Sequence, residues 1–259
     1  MTPTPSAALR PEPARPRVVC TLPTYNEAGN ILALVRSILE LEAQGIDVRV
    51  LVIDDDSPDG TWKLVEEEAR RERRLFLLHR TQDRGRGRSG RDGFVEALAM
   101  GADVVIEMDA DFSHQPRYIP ELLATLAASE GRLGLVLGSR AVAGGLDADR
   151  GLLRQWLTKC ANLYIRLLLG VPVKDCNSGF RCWARSTLER IDVASTFSPG
   201  PAIVQELLFK TARAKIGIAE VPITFANRLH GASTLTLRLL FQGYTTVLKL
   251  RWWSLIGRI

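Results

Sequence analysis

The chain has 259 residues, 46% hydrophobic and 24% charged, the balance of an ordinary globular protein long enough to bury a core without covalent staples. A formal charge of +5 suits nucleic acid, anionic lipid or a phosphorylated substrate equally and selects none of them. Cys20, Cys160, Cys176 and Cys182 show no CxxC spacing and no neighbouring histidine set, which argues against a zinc site and points to free, mostly buried thiols in a reducing compartment.

Residues 1–16 read as a disordered leader: five prolines precede Arg17, and no apolar run of signal-peptide form is present. Strand-like and helix-like segments then alternate. Arg17 to Leu22 reads as a strand, and Asn30 to Ala43 as a helix with Ile31, Leu34, Val35, Ile38 and Leu41 on one face. Val48 to Ile53 is a strand, Thr61 to Arg73 a helix, Leu75 to Leu78 a strand and Arg91 to Met100 a helix. Asp103 to Met108 and Leu133 to Leu137 are strands around a helix from Gln115 to Ala128, with Pro116 in its first turn. The repetition predicts an α/β fold with a mostly parallel, Rossmann-like sheet covered on both faces.

The second half is less regular. Leu152 to Leu169 is amphipathic, with a stripe of Leu153, Trp156, Leu157, Cys160, Tyr164, Leu167 and Leu168 that suits either a core helix or a membrane interface. Short strands are expected at Gly217 to Val221 and Ile223 to Phe225, closing one domain over residues 17–233. Residues 234–259 form an amphipathic interface helix in this reading, with Trp252 and Trp253 beside Lys249 and Arg251. No run reaches the roughly 18 to 20 apolar residues needed to span a bilayer.

Ligands of open parallel sheets bind beyond the carboxyl ends of the strands. Those ends are acidic here: Asp54-Asp55-Asp56, then Asp109-Ala110-Asp111, with Gly138-Ser139-Arg140 after the fifth strand. Asp109 and Asp111 share a face if their strand continues, and two carboxylates plus substrate phosphates suit Mg²⁺ or Mn²⁺; the same pattern also serves as a helix cap ahead of Pro116. Asp54 or Asp55 suits a nucleobase or ribose, or a turn and cap. Glycines at 85, 87, 90 and 93 punctuate a basic stretch from Arg84 to Arg91, expected as a loop that either covers a diphosphate or is simply solvated. His79, His114 and His230 read as surface or capping residues.

The segments LPTYNEAGNI, VIDDDSPDGT, RDGF, EMDADFSHQP, GSRAVAGG, KCANLYIRLLLG, DCNSGFRC and EVPITFANRLHGAS follow one another from Leu22 to Ser233. Together they resemble family 2 glycosyltransferases of the GT-A fold, most closely the polyprenol-phosphate (dolichol-phosphate) mannose synthases. The resemblance implies an inverting transfer of mannose from GDP-mannose to the phosphate of a polyprenyl lipid, at the cytoplasmic face of the membrane and with no nucleic acid involved. It leaves room for a separate membrane subunit. Pro23, Tyr25, Glu27, Asp54, Asp55 and Ala110 would line the nucleotide site, and Asp109 and Asp111 would hold Mg²⁺ or Mn²⁺. Gln205 and Glu206 would lie near the donor sugar. Arg140, Arg154, Thr158 and Arg228 would seat the acceptor phosphate, with Arg140 counted as catalytic alongside the two aspartates. That phosphate has a second pKa near 6 and needs no general base at neutral pH. The alternatives are transfer of glucose or an N-acetylhexosamine from a UDP-sugar to undecaprenyl phosphate, and a non-catalytic binding subunit of the same fold. Arg86 departs from the family's usual leucine and Gly90 from a common aromatic residue. Ser113 stands where some relatives have glutamine, and Thr234 where lysine is common.

Overall fold

Residues 17–24 form β1 (Arg17–Thr24), buried without a break from Val18 onward. A strand wrapped on both faces belongs in the middle of a sheet. The computed structural model places it there; it describes residues 15–147, 152–226 and 237–258, side chains at 152–154 and 237–242 excepted. Most of the expected leader therefore lies outside the described residues.

After β1 come α1 (Ile31–Leu39), β2 (Asp47–Asp54), α2 (Thr61–Ala69), β3 (Leu75–His79), α3 (Arg86–Ala99) and β4 (Val104–Glu107). Then follow α4 (Ile119–Ala128), β5 (Leu133–Ser139), the two-residue β6 (Leu146–Asp147), α5 (Leu152–Leu169), β7 (Arg181–Ala184) and α6 (Arg185–Arg190). The chain ends with α7 (Ile203–Arg213), β8 (Gly217–Pro222), β9 (Thr224–Phe225) and α8 (Leu237–Leu255). The main sheet has the order β3-β2-β1-β4-β7-β5-β8, while β6 and β9 pair separately. Strand order reverses beside β1, so a crevice opens beyond the carboxyl ends of β1 and β4.

The sheet is parallel except for β7, which runs antiparallel between β4 and β5. The sequence reading contained neither β7 nor α6 and α7. An arginine opens the four-residue β7 and obscures its apolar pattern, yet Arg181 is fully buried. α1, α2 and α4 pack on one face of the sheet. α3, α6 and α7 pack on the other, with α5 and α8 beyond them.

Several boundaries move. The first helix ends at Leu39 and tightens into a 3₁₀ turn over Glu40–Gln44, closed by Gly45 at φ 82°. The second ends at Ala69, and the expected helix from Gln115 divides into a 3₁₀ turn at Pro116–Tyr118 and α4. The largest change concerns the glycine-rich stretch, whose residues from Arg86 onward are helical. Its glycines permit close approach. A Cβ on Gly93 would lie 2.8 Å from Ile53 Cδ1, and one on Gly87 would lie 2.0 Å from the Ser198 carbonyl oxygen. The Gly87 amide donates to the Pro199 carbonyl at 3.1 Å, fastening the first turn of α3 to the loop before α7.

The stripe foreseen on α5 enters the core only in part: Tyr164 and Leu168 are partly buried against it. Trp156, Leu157, Cys160, Leu163 and Leu167 are exposed, while Asn162, Ile165 and Leu169 face inward. On α8, Tyr244, Leu248, Trp252 and Leu255 are exposed and Val247 and Leu250 buried. The helices meet at Tyr164 and Tyr244, whose rings lie 5.2 Å apart. No described helix is long and apolar enough to cross a membrane. The cysteines are free; Cys20, Cys176 and Cys182 are buried and Cys160 is exposed.

The glycine contacts give a graded expectation. Alanine is the better helix former by about 0.8–1.0 kcal/mol, but overpacking typically costs about 1–3 kcal/mol. Gly93→Ala meets a side chain that can shift and should destabilise modestly. Gly87→Ala meets backbone carbonyls and should cost more, read as a larger drop in the urea midpoint.

Candidate active site

The loops after β1 and β2 are laced together. The Asn26 amide donates to Ser57 Oγ at 3.0 Å, the Glu27 amide to Thr61 Oγ1 at 3.0 Å and the Ala28 amide to Asp59 Oδ2 at 3.0 Å. Asp54 is the centre of this lacing. It accepts from the Ser57 amide (2.8 Å), Ser57 Oγ (2.7 Å) and Thr24 Oγ1 (3.1 Å). Asp55 accepts from the Arg80 guanidinium and from the Gly85 amide at 2.7 Å, fixing the entry to α3. Both carboxylates are buried and engaged by the scaffold.

Beside them lies a cavity of about 400 Å³ lined by Tyr25, Asp56, Ser57, Pro58, Gly60, Trp62, Lys63 and Arg84. Tyr25 is half exposed. Trp62 stacks on His79 with ring centres 4.3 Å apart, and His79 Nε2 lies 3.0 Å from Asp56 Oδ1. Of the nucleotide residues foreseen from sequence, Tyr25 lines this cavity. Pro23 and Ala110 are buried, and Glu27 Oε2 accepts from Asn30 Nδ2 at 2.7 Å. The sequence pattern assigns no nucleotide role to Trp62 and Lys63, takes Asp56 as part of a turn and Arg84 as part of a basic loop over a diphosphate; an aromatic at the start of α2, just beyond an acidic strand end, is the available signal.

Asp109 and Asp111 do not share a continuous strand, because β4 ends at Glu107. They occupy a tight loop in which Phe112 takes φ 62°. Asp111 Oδ1 closes it, accepting from the Ser113 amide at 3.0 Å and Ser113 Oγ at 2.5 Å. The Asp109 amide donates to His114 Nδ1 at 3.0 Å. His114 is thus no surface residue: it is buried, stacked on Phe180 and edge-on to Phe225, each with centroids 5.3 Å apart. Burial, and behind it Arg140 and Arg86, push its pKa down against the pull of Asp109 and Asp111. A neutral ring keeps Nδ1 available as an acceptor.

Two carboxylates, with no cluster of three acidic, histidine or cysteine ligands among the described residues, make a partial site. Hard oxygen donors that leave coordination positions for phosphate oxygens fit Mg²⁺ or Mn²⁺. A Cβ on Gly179 would lie 3.7 and 3.8 Å from the two Asp109 oxygens, so the glycine keeps that side of the carboxylate open.

Arg140 is held by Asp175 in a fork, Nε to Oδ2 and Nη2 to Oδ1, both at 2.8 Å. Burial alone would raise the Asp175 pKa, but the guanidinium outweighs it and holds the carboxyl below its usual range. The Arg140 guanidinium also lies 4.9 Å over the Phe225 ring. A line of contacts therefore runs from Arg140 through Phe225 and His114 to Asp109. Thr158 sits half-buried on α5, where the Arg154 side chain is not among those described. Arg228 lies outside the described residues.

Glu206 accepts from the Phe197 and Ser198 amides at 3.1 and 2.9 Å, shaping the loop that receives Gly87. Gln205 Nε2 donates to Asn177 Oδ1 at 2.7 Å. Gln205 and Asn177 help line a second cavity of about 320 Å³, between α5, α8 and the start of α7.

Among solved structures, glucosyl-3-phosphoglycerate synthase from Mycobacterium tuberculosis in complex with Mn²⁺, UDP-glucose and phosphoglyceric acid is similar in fold. The TM-score is 0.67 at 23% identity, covering 91% of this chain and 80% of that one. The fold is that of the GT-A glycosyltransferases. Residues 20–192 match the family described as Glycosyl transferase family 2, and the chain belongs to that family. Undecaprenyl-phosphate mannosyltransferase of Micrococcus luteus is 36% identical over 93% of this chain and 96% of its own length. Polyprenol monophosphomannose synthase of Mycolicibacterium smegmatis is 36% identical over 96% and 92%. Dolichol-phosphate mannosyltransferase of Pyrococcus furiosus is 31% identical over 92% of this chain and 64% of its own.

Removing one partner of a buried ion pair strands the other charge, at a cost of about 3–5 kcal/mol. Asp175→Ala should lower stability by that amount in urea denaturation. Arg140→Met combined with Asp175→Leu should lose less, since no unpaired charge remains.

Proposed function

We propose that the chain transfers mannose from GDP-mannose to the phosphate of a polyprenyl lipid, with inversion at the anomeric carbon. One observation carries this reading: the acidic loop after β4 connects through His114 and Phe225 to the fixed guanidinium of Arg140. That line of contacts supports donor-side and acceptor-side chemistry close to one another. The names of relatives aligned over nearly the whole chain support the substrate class.

The nucleoside belongs in the cavity of Tyr25 and Trp62. Guanine offers adjacent ring and amine N–H donors, which the Asp56 carboxylate can accept as a pair. Its ring can stack on the aromatics. Asp109 and Asp111 would hold a divalent ion, which would offset the charge of the diphosphate leaving group. His114 fixes the Asp109 backbone, and Ser113 fixes Asp111, so the carboxylates need little reorganisation. Arg140, fixed by Asp175, orients the acceptor phosphate, with Arg154, Thr158 and Arg228 assigned to the same seat. An oxygen of that phosphate attacks the anomeric carbon as the bond from that carbon to the diphosphate oxygen breaks, and GDP departs. Gln205 is assigned to the donor sugar's surroundings. Glu206 acts through the loop it shapes.

The lipid reaches the site from a membrane surface. The exposed apolar side chains of α5 and α8 support peripheral attachment through residues 237–255, at the cytoplasmic face where nucleotide sugars are available. Exposed Lys159, Arg166 and Arg251 lie on the same two helices and suit anionic headgroups.

Purified protein given polyprenyl phosphate and labelled GDP-mannose, UDP-glucose or UDP-N-acetylglucosamine should transfer only mannose. Asp111→Ala should lower turnover at least about a hundredfold, as loss of leaving-group stabilisation does. Transfer from a UDP-sugar instead would overturn the donor assignment, and wild-type turnover in the variant would overturn the metal assignment.

Leu248→Glu with Trp252→Glu should abolish flotation with anionic liposomes while leaving the circular dichroism spectrum unchanged. Undiminished flotation would remove α8 from the membrane contact.

A further inference from the structure

Arg86, in the first turn of α3, places a guanidinium against the acidic loop. Its Nη2 lies 3.2 Å from Glu107 Oε1 and 3.4 Å from Asp109 Oδ1. Both distances are long for charge-assisted hydrogen bonds, which run about 2.7–2.9 Å. One nitrogen is shared between two acceptors, and no fork is formed. The contrast with Arg140, locked to Asp175 through two nitrogens at 2.8 Å, separates a fixed guanidinium from an exchangeable one.

The array is also unsaturated. Arg86 Nη1 and Glu107 Oε2 are buried and have no hydrogen-bond partner among the described residues. Gly90, one turn along α3, makes room for the head group: a Cβ there would lie 3.0 Å from Arg86 Nη1. The two departures from the resembled pattern, arginine at 86 and glycine at 90, therefore meet in a single contact.

A divalent ion on Asp109 Oδ1 and the Arg86 guanidinium would be like charges competing for one oxygen. A diphosphate changes the balance, because its oxygens suit the guanidinium's planar fork better than one shared carboxylate oxygen does. We infer that Arg86 guards Asp109 against metal ion alone and moves onto the donor diphosphate, so that ion and nucleotide bind as a coupled pair. This rests on the reading of Asp109 as a metal ligand and adds the order in which the site fills.

The test is Mn²⁺ binding, followed by the loss of the free-ion electron paramagnetic resonance signal, with and without GDP. In the wild-type protein GDP should tighten Mn²⁺ binding about tenfold or more, within the usual range of coupling between sites. Arg86→Gln keeps a neutral donor toward Glu107, and Arg86→Leu with Glu107→Gln removes the buried pair together. In either one that folds, Mn²⁺ alone should bind about tenfold tighter, with the GDP effect falling below about threefold. Equal wild-type affinity with and without GDP, or wild-type coupling in the variants, overturns the role of Arg86. Mannose transfer measured on the same samples then shows whether the proposed function still stands. Absence of Mn²⁺ binding under every condition overturns the metal assignment and this inference together.

Discussion

Carboxylates withdrawn from water at the ends of strands govern the architecture of this protein. A buried charge is tolerated only when paired or hydrogen-bonded. Asp54 is satisfied by Ser57 and Thr24, Asp55 by Arg80 and Gly85, and Asp175 by Arg140. Each pairing ties one strand end to another loop, and together they set the walls of the crevice. Of the acids at these strand ends, Asp56 and Asp109 keep partial contact with solvent, their side chains 44% and 38% exposed, whereas Asp111 is buried.

This division explains what the sequence could and could not convey. The apolar runs of β1 and β2 and the helical spacing in α1 were legible because burial on both faces, or on one stripe, leaves a periodic trace. The acidic loop at Asp109 and Asp111 was legible from its place after a buried strand. Asp54 and Asp55 were visible, but which acid faces inward depends on Ser57 and Arg80, contacts that local pattern does not report. His114 was misjudged because its surroundings, Phe180 and Phe225, are distant in sequence.

α3 is the clearest failure of local reasoning. Its first turns carry Gly87 and Gly90 and favour a loop by propensity, yet they are helical, with Gly87 packed against the 198–200 backbone. Tertiary contact overrides an intrinsic preference of that size. The same closeness carries Arg86 to the acidic loop, so a packing requirement and an electrostatic one are met by one helix. β7 hides for a related reason: Arg181 interrupts its apolar pattern, although the guanidinium is buried and donates to the Ser178 and Val204 carbonyls.

The cysteines carry a practical consequence. Burial raises the thiol pKa of Cys20 and Cys182 far above normal and pushes Cys176 up to about 12. Alkylating reagents act on thiolates, so these three are poor targets. Cys160 stands in water on the outer side of α5, between Trp156 and Leu163. A fluorophore or nitroxide attached there, without any engineered substitution, would sit on the very surface assigned to lipid and report its depth directly.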